Sequence, residues 1–242
     1  MPSAAAQRDI PPEMVFTPPS LPEDWTDGAI LPVDKPRGLP SFSVVEQIQD
    51  GTGVQTVGHA GTLDPLATGL LIVLVSRPAT RLQEACMHLP KTYEATLRLG
   101  EVTPSLDAET EVVERQDPSE ITRSDLEEVR ESFLGVIQQV PPMYSAVKVD
   151  GERLYEKARR GETVDRPPRQ VRIDRLELTE WTSPDLTVRV KCSKGTYIRA
   201  LARDLGDALD VGAHLVALRR TAIGPYVVEE SWAMETLEDM LS

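Results

Sequence analysis

The chain has 242 residues, 40% of them hydrophobic, enough for one sizeable core or two small domains. No apolar run approaches the ~20 residues needed to cross a bilayer, and the N-terminal "MPSAAAQRDIPPEMVF" lacks the basic and apolar halves of a secretion signal. The two cysteines, Cys86 and Cys192, form no CxxC pair, which excludes a disulfide framework and a cysteine zinc site and, with the rest, predicts a cytoplasmic protein.

Taken alone, the net charge of −13 speaks against a nucleic-acid partner, but its distribution changes that. Residues 1–27 contribute −4, residues 101–131 contribute −8 and residues 227–242 contribute −5, so the remaining chain is +4. Within it, Lys191, Lys194, Arg199 and Arg203 form a positive tract. The acid therefore reads as peripheral. It serves either as a solubilising surface or as adaptation to a salty cytoplasm, where phosphate contacts are weak in any case.

In chain order, residues 1–27 hold six prolines and no periodic apolar pattern, which predicts a flexible, acidic extension. "AILPVDKPRG" predicts a short strand stopped by Pro36. "SFSVVEQIQDGTG" predicts a short helix with Val44, Val45 and Ile48 on one face, ended by Gly51. "GHAGTLDPLATG" is rich in glycine and runs into "GLLIVLVS", a continuous apolar run that predicts a buried strand. "TYEATLRLG" alternates as a strand does. "TRSDLEEVRESF" predicts a helix capped by Thr122 or Ser124.

The stretch "QVPPMYSAVKVDGERLYEKARRGE" has a double proline, a turn at Asp150-Gly151 and a short basic helix. Long irregular insertions of this kind in compact domains are often functional. "VRIDRLELTEW" and "DLTVRVKCS" predict strands around a Ser-Pro-Asp turn. "IRALARDLGDAL" is an amphipathic helix with Ile198, Leu201, Ala202, Leu205 and Leu209 in one stripe. Strands and helices are mixed without strict alternation, which favours α+β over a doubly wound sheet.

Several chemistries are missing. There is no GxxxxGK[ST], GxGxxG or GxSxG, and the order of residues in "SKGT" is wrong for a phosphate loop. His59, His88 and His214 show no metal-ligand spacing. Chemistry must come from carboxylate, tyrosine, arginine and lysine. Taken singly, the candidates are bland. An aspartate before proline, such as Asp64, is usually a turn residue, and a tyrosine in an alternating strand, such as Tyr93, is usually packing.

Five motifs in order, "VDKPRGLPS", "GHAGTLDPLATG", "KTYEATLRLG", "QVPPMYSAVKVDGERLYEKARRGE" and "CSKGTYIRALARDLG", resemble the TruB family of tRNA pseudouridine synthases. The resemblance runs from about Ile30 to about Trp232. It implies an α+β pseudouridine-synthase fold: a mixed, mostly antiparallel sheet flanked by helices, with an RNA-gripping insertion at about residues 141–168. It implies a catalytic domain over 28–232, followed by a short tail, 233–242, with no full C-terminal RNA-binding domain. The implied activity is isomerisation of the T-loop uridine at tRNA position 55, with no metal or cofactor.

Residue by residue, the resemblance implies that Asp64 is the catalytic aspartate and that Tyr93 stacks on the target base. Tyr197 is then a second active-site tyrosine and candidate general base, and Arg199 the arginine that pairs with the aspartate. His59 contacts the flipped RNA without being the chemical catalyst, and Lys35 and Pro36 support the floor of the site. From the insertion, Lys148, Arg153, Lys157, Arg159 and Arg160 are candidates to grip RNA; their bland alternative is an ordinary solvated helix face. The implied partner is the tRNA T-arm, without guide RNA or membrane, bound by a monomer.

These residue types suit the reaction. It breaks the uridine C1′–N1 bond, turns the base and forms a C1′–C5 bond, with no redox step. An ionised carboxylate can attack or stabilise an electron-poor sugar carbon, as in glycoside hydrolysis, and a tyrosine can take up the released proton. Attack on the sugar, attack on the base and assisted elimination all remain open. Tyr197 and Arg199 are two apart, so they share a face in extended chain but not in helix. If both line one pocket, the strand should persist, or turn, through Gly195 to about Arg199, with the helix starting close after. The bland alternative is that Arg199 is a solvent-facing residue of the first turn. Three rivals stand beside this reading: a non-catalytic RNA-binding or tRNA-folding module on the same fold, a guide-dependent synthase of the dyskerin kind, and a two-carboxylate sugar hydrolase.

Overall fold

The computed structural model describes residues 9–145, 148–149, 152–162 and 164–241; the side chains of Lys148, Val149, Arg153, Ala158 and Arg159 fall outside that description. In chain order the elements are β1 (Ala29–Lys35), α1 (Ser41–Thr52), β2 (Val57–His59), β3 (Thr68–Val75), α2 (Ser76–Thr80), α3 (Gln83–His88), β4 (Lys91–Leu99), β5 (Glu101–Val102), β6 (Glu114–Arg115), α4 (Arg123–Ser132) and β7 (Gly135–Gln139). There follow β8 (Lys148–Val149), β9 (Glu152–Arg153), α5 (Leu154–Arg159), β10 (Arg169–Thr182), β11 (Asp185–Cys192), α6 (Ile198–Ala208), β12 (Ala213–Ile223), β13 (Tyr226–Val227), β14 (Trp232–Ala233) and α7 (Met234–Leu241). The class is α+β, and most strand pairings are antiparallel. The chain divides into two compact units, Met1–Tyr93 with Leu218–Ser242, and Glu94–Ala217.

In the first unit the strand order is β14-β1-β3-β12, with β2 paired to β3 and β13 to β12. β1 and β3 run antiparallel from Ala29↔Val75 to Lys35↔Gly69, while β12 lies parallel to β3. The continuous apolar run of β3 is explained by cover on both faces. Leu71, Val73 and Val75 face Val44 and Ile48 of α1 with Trp232 and Leu237. Leu70, Ile72 and Leu74 face Ala79, Cys86, Ile223 and Val228. Each such side chain stabilises the unit by about 1.5–3 kcal/mol.

Two expectations change in this unit. The helix α1 runs through Gly51 and ends at Gly53, whose φ of 70° closes the C-terminus in the left-handed region. The proline-rich segment, expected to be a flexible extension, is laid down from Ile10 onward. Val15 bridges Ile30, Phe16 and Ile30 share a backbone bond, and the Trp232 indole donates to the Phe16 carbonyl at 2.9 Å. Proline composition hid the apolar contacts of Phe16, Leu21 and Trp25 with the core. Residues 234–241 likewise form a helix, α7, with Met234 and Leu237 buried.

The second unit is built on the order β4-β11-β10-β7, and β10 is antiparallel to both its neighbours. The helix α4 is capped by Thr122 in a reciprocal box with Asp125. The insertion contributes the small hairpin β8–β9 and α5. The helix α6 buries Ile198, Leu201, Ala202 and Leu205 along the expected stripe.

Candidate active site

Asp64 lies in the loop between β2 and β3, half-buried, in a turn where Ala67 N–H donates to the Asp64 carbonyl at 3.0 Å. Both flanks of Asp64 are pinned. On one side the Ser41 hydroxyl, buried at the start of α1, donates to the Leu63 carbonyl at 2.8 Å and accepts from the Leu63 N–H at 2.9 Å. On the other side Gly38 N–H donates to the Pro65 carbonyl at 2.7 Å. Lys35, at the end of β1 and 0% exposed, donates to the carbonyls of Pro36 at 2.8 Å, Leu39 at 2.7 Å and Pro65 at 3.5 Å. Burial pushes its ammonium down to about 8; the negative charge of Asp64 opposes that shift and Arg220 adds to it.

Arg220 is a second buried cation in this half, 1% exposed, on β12. Its guanidinium donates to the Leu70 carbonyl at 2.6 Å and to the Gly61 carbonyl at 2.9 Å. Gly69 lets the backbone of β12 at Arg220 come close to β3. At φ +99° a Cβ there would sit 2.3 Å from the Arg220 carbonyl oxygen, which a side-chain-bearing residue cannot satisfy. His59 ends β2, and its carbonyl accepts from the Gln83 side chain at 2.8 Å. Burial, and then the charge of Arg220, hold its imidazole below the ordinary value, so it enters contacts neutral. Tyr93 occupies the inward-facing row of β4 and is 9% exposed.

The second unit carries Tyr197 and Arg199. Tyr197 is extended, with φ −98° and ψ 112°, and α6 begins immediately after it at Ile198. The chain turns at Lys194-Gly195 after β11, as one form of the expectation had it, but the helix starts one residue before Arg199 rather than after it. Arg199 needs no shared face because its long side chain reaches its partners from the first helical turn. It is 5% exposed, donates to the carbonyls of Ser105 at 3.1 Å and Tyr144 at 2.7 Å, and lies 3.5 Å from the Asp107 carboxylate. Asp107 is itself 2% exposed, although it falls in the acidic stretch read as peripheral. The backbone of Tyr197 is held by Gln139, whose amide accepts from its N–H at 2.8 Å and donates to its carbonyl at 3.2 Å.

Of the insertion cations, the side chains of Lys148, Arg153 and Arg159 lie outside the described residues. Arg160 is exposed and bound to Glu152 at 2.5 Å and Glu162 at 2.7 Å. Tyr144 and Tyr155 meet edge to face at 6.5 Å. Among the described residues no group of three or more His, Cys, Asp or Glu is arranged to hold a metal, and no helix is long and apolar enough to cross a membrane.

Sequence reading missed Ser41, Asp107, Gln139 and Arg220. Ser41 and Gln139 stand at the edges of quoted motifs, as polar residues beside apolar elements. Arg220 stands in "AHLVALRRTAI", a strand in which an arginine takes a buried position. In chemical terms the first half presents a carboxylate on a pinned loop whose charge reaches the buried Lys35, with the buried Arg220 holding Gly61 of the same loop. The second presents a phenol and a buried guanidinium at one helix start.

A profile described as the TruB family pseudouridylate synthase N-terminal domain matches residues 49–198, and one described as the tRNA pseudouridylate synthase B C-terminal domain matches residues 199–242. The tRNA pseudouridine synthase B of Phocaeicola vulgatus is 45% identical over 224 residues, covering 90% of this chain and 95% of that protein. That of Thermobifida fusca is 48% identical over 219 residues, covering 87% of this chain and 74% of that protein. Among solved structures, a crystal structure of a Cbf5-Nop10-Gar1 complex is similar with a TM-score of 0.70 at 29% identity, covering 96% of this chain. This chain spans 60% of the length of the chain it matches there.

Proposed function

The chain belongs to the TruB family of pseudouridylate synthases, and from this premise we infer that it isomerises uridine to pseudouridine in tRNA. We propose that its target is the T-loop uridine at position 55, that it acts without guide RNA, and that it works as a monomer in the cytoplasm. Independence of a guide is supported by the relatives the chain resembles more. The chain is 45% identical to the tRNA pseudouridine synthase B of Phocaeicola vulgatus but 29% identical to the matched chain of the Cbf5-Nop10-Gar1 complex.

In this reading the target base is turned out of the loop at a cost of roughly a few kcal/mol, offset by about 1–3 kcal/mol of stacking on the ring of Tyr93. The neutral imidazole of His59 contacts the displaced RNA. Asp64 acts on the nucleotide as the C1′–N1 bond breaks, and Arg199 pairs with it. After the C1′–C5 bond forms, Tyr197 takes the C5 proton, and a proton is returned at N1. The observation that carries the assignment is the loop of Asp64: a carboxylate whose neighbours on both sides are held by hydrogen bonds to their backbones, in a loop braced by the buried Lys35 and Arg220. Such holding is what near-attack geometry requires.

The test is release of tritium from C5-labelled uracil in a T-arm hairpin without guide RNA. Asp64→Asn should lower kcat by about 10⁴-fold or more while leaving the thermal melt and hairpin binding near wild type. Equal release by the two proteins would remove Asp64 from the chemistry, and a requirement for added guide RNA would remove the stand-alone reading.

A further inference from the structure

Tyr197 occupies an awkward place. It is the last extended residue before α6, and a tyrosine side chain cannot cap the helix it precedes; no side-chain cap bond is made there. Without some other hold, small changes in its backbone angles would swing the phenol. Gln139 supplies the hold from 58 residues away. It ends β7, is 2% exposed, and its side-chain amide both accepts from the Tyr197 N–H at 2.8 Å and donates to the Tyr197 carbonyl at 3.2 Å. The same carbonyl accepts the first helical bond, from Leu201 N–H at 3.0 Å. The pairing also fixes which amide atom is which, because a backbone N–H must face oxygen and a carbonyl must face nitrogen.

We propose that Gln139 is the positioning residue of the active-site tyrosine: by holding both backbone groups of Tyr197 it presents the phenol in one orientation to the reacting base. This inference rests on the reading of Tyr197 as a reacting group. A primary amide is suited to the task because it is a neutral group carrying a donor and an acceptor side by side. Asparagine would be one methylene too short, and a carboxylate would accept the N–H bond but set a second anionic oxygen against the carbonyl. A protonated carboxylic acid, by contrast, restores the donor-acceptor pair.

The experiment measures kcat, KM and thermal melts for Gln139→Met, Tyr197→Phe, the double variant and Gln139→Glu. Gln139→Met should lower kcat about 10–100-fold with KM little changed, as loss of alignment does, and should add little to the loss already present in Tyr197→Phe. Gln139→Glu should approach wild-type kcat at the same pH as the pH falls and the buried acid becomes neutral, even if Gln139→Met folds poorly. A Gln139→Met loss that adds in full to that of Tyr197→Phe, or a Gln139→Glu to wild-type ratio flat with pH, overturns the inference. If Tyr197→Phe is impaired while Gln139→Met is not, the inference alone fails. If Tyr197→Phe turns over like wild type, the tyrosine reading fails and the inference falls with it.

Discussion

The loop that carries Asp64 and the helix start that carries Tyr197 and Arg199 are both held through their backbones, but by different electrostatic means. In the first unit the holding groups are buried cations. Lys35 and Arg220 direct their hydrogen bonds to carbonyls, so their charges are not cancelled by the groups they hold. In the second unit the tyrosine is held by a neutral amide, and the buried guanidinium of Arg199 lies beside the buried carboxylate of Asp107. The difference follows the groups displayed. A loop that must present an anion gains from uncancelled positive charge beneath it, whereas a helix start that presents a phenol has no such need.

The largest effect should come from breaking the charge balance of the second unit. Arg199→Met leaves Asp107 buried beside an apolar side chain, and removing one partner of a buried pair costs about 3–5 kcal/mol. Adding Asp107→Leu should recover most of that stability in urea melts, yet leave tritium release as low as in Arg199→Met alone. If the double variant is no more stable than the single, Asp107 does not balance Arg199.

Arg220→Met is the matching test in the first unit and should cost less, about 1–2 kcal/mol. Two carbonyls lose charged donors, but relief from burying a cation offsets part of that loss. Among the described residues Arg220 has no carboxylate partner, so no companion substitution should rescue it. A loss larger than that of Arg199→Met would reverse the contrast.

The reacting candidates of this contrast were legible in the sequence because they lie inside short contiguous motifs. Asp64 and His59 share one glycine-rich stretch, and Tyr197 and Arg199 are two residues apart. The strand β3 was legible from its unbroken apolar run. The holding residues were not, because what defines them is a distant backbone group: Ser41 acts on Leu63, Gln139 on Tyr197, and Arg220 on Gly61, across 22, 58 and 159 positions. Asp107 was counted with the surface acids for the same reason, since charge counting cannot see burial. The segment from Ile10 to Asp27 was misread because composition weighs prolines and not the pocket that Phe16 and Trp25 find.

Lys35 gives the contrast a pH signature of opposite signs. Its ammonium is pushed down to about 8 from 10.5. As pH rises through 8 the folded protein loses this charge beside Asp64, so kcat should fall there. Between 8 and 10.5 the unfolded chain holds one more proton at this residue than the folded one, so its contribution to stability should rise with pH over the same interval. Lys35→Met should be poorly active throughout and lack both slopes relative to wild type. A wild-type alkaline limb that survives in Lys35→Met belongs to another group.

The smallest effect concerns a cation that is neither buried nor fixed. Arg160 is exposed and engaged with Glu152 and Glu162, and exposed pairs of this kind are weak and screened by salt. An RNA phosphate can therefore displace the carboxylates, but the gain is the difference between two weak contacts. Arg160→Ala should weaken binding of a T-arm hairpin by less than about tenfold and lower the slope of log affinity against log salt by about 1. Replacing Glu152 and Glu162 together by glutamine should act in the reverse direction, since the guanidinium then meets the phosphate without competitors. Filter binding across a KCl series reads both. An unchanged slope in Arg160→Ala would leave Arg160 as a surface ion pair only, and RNA gripping would then have to rest on other cations of the chain.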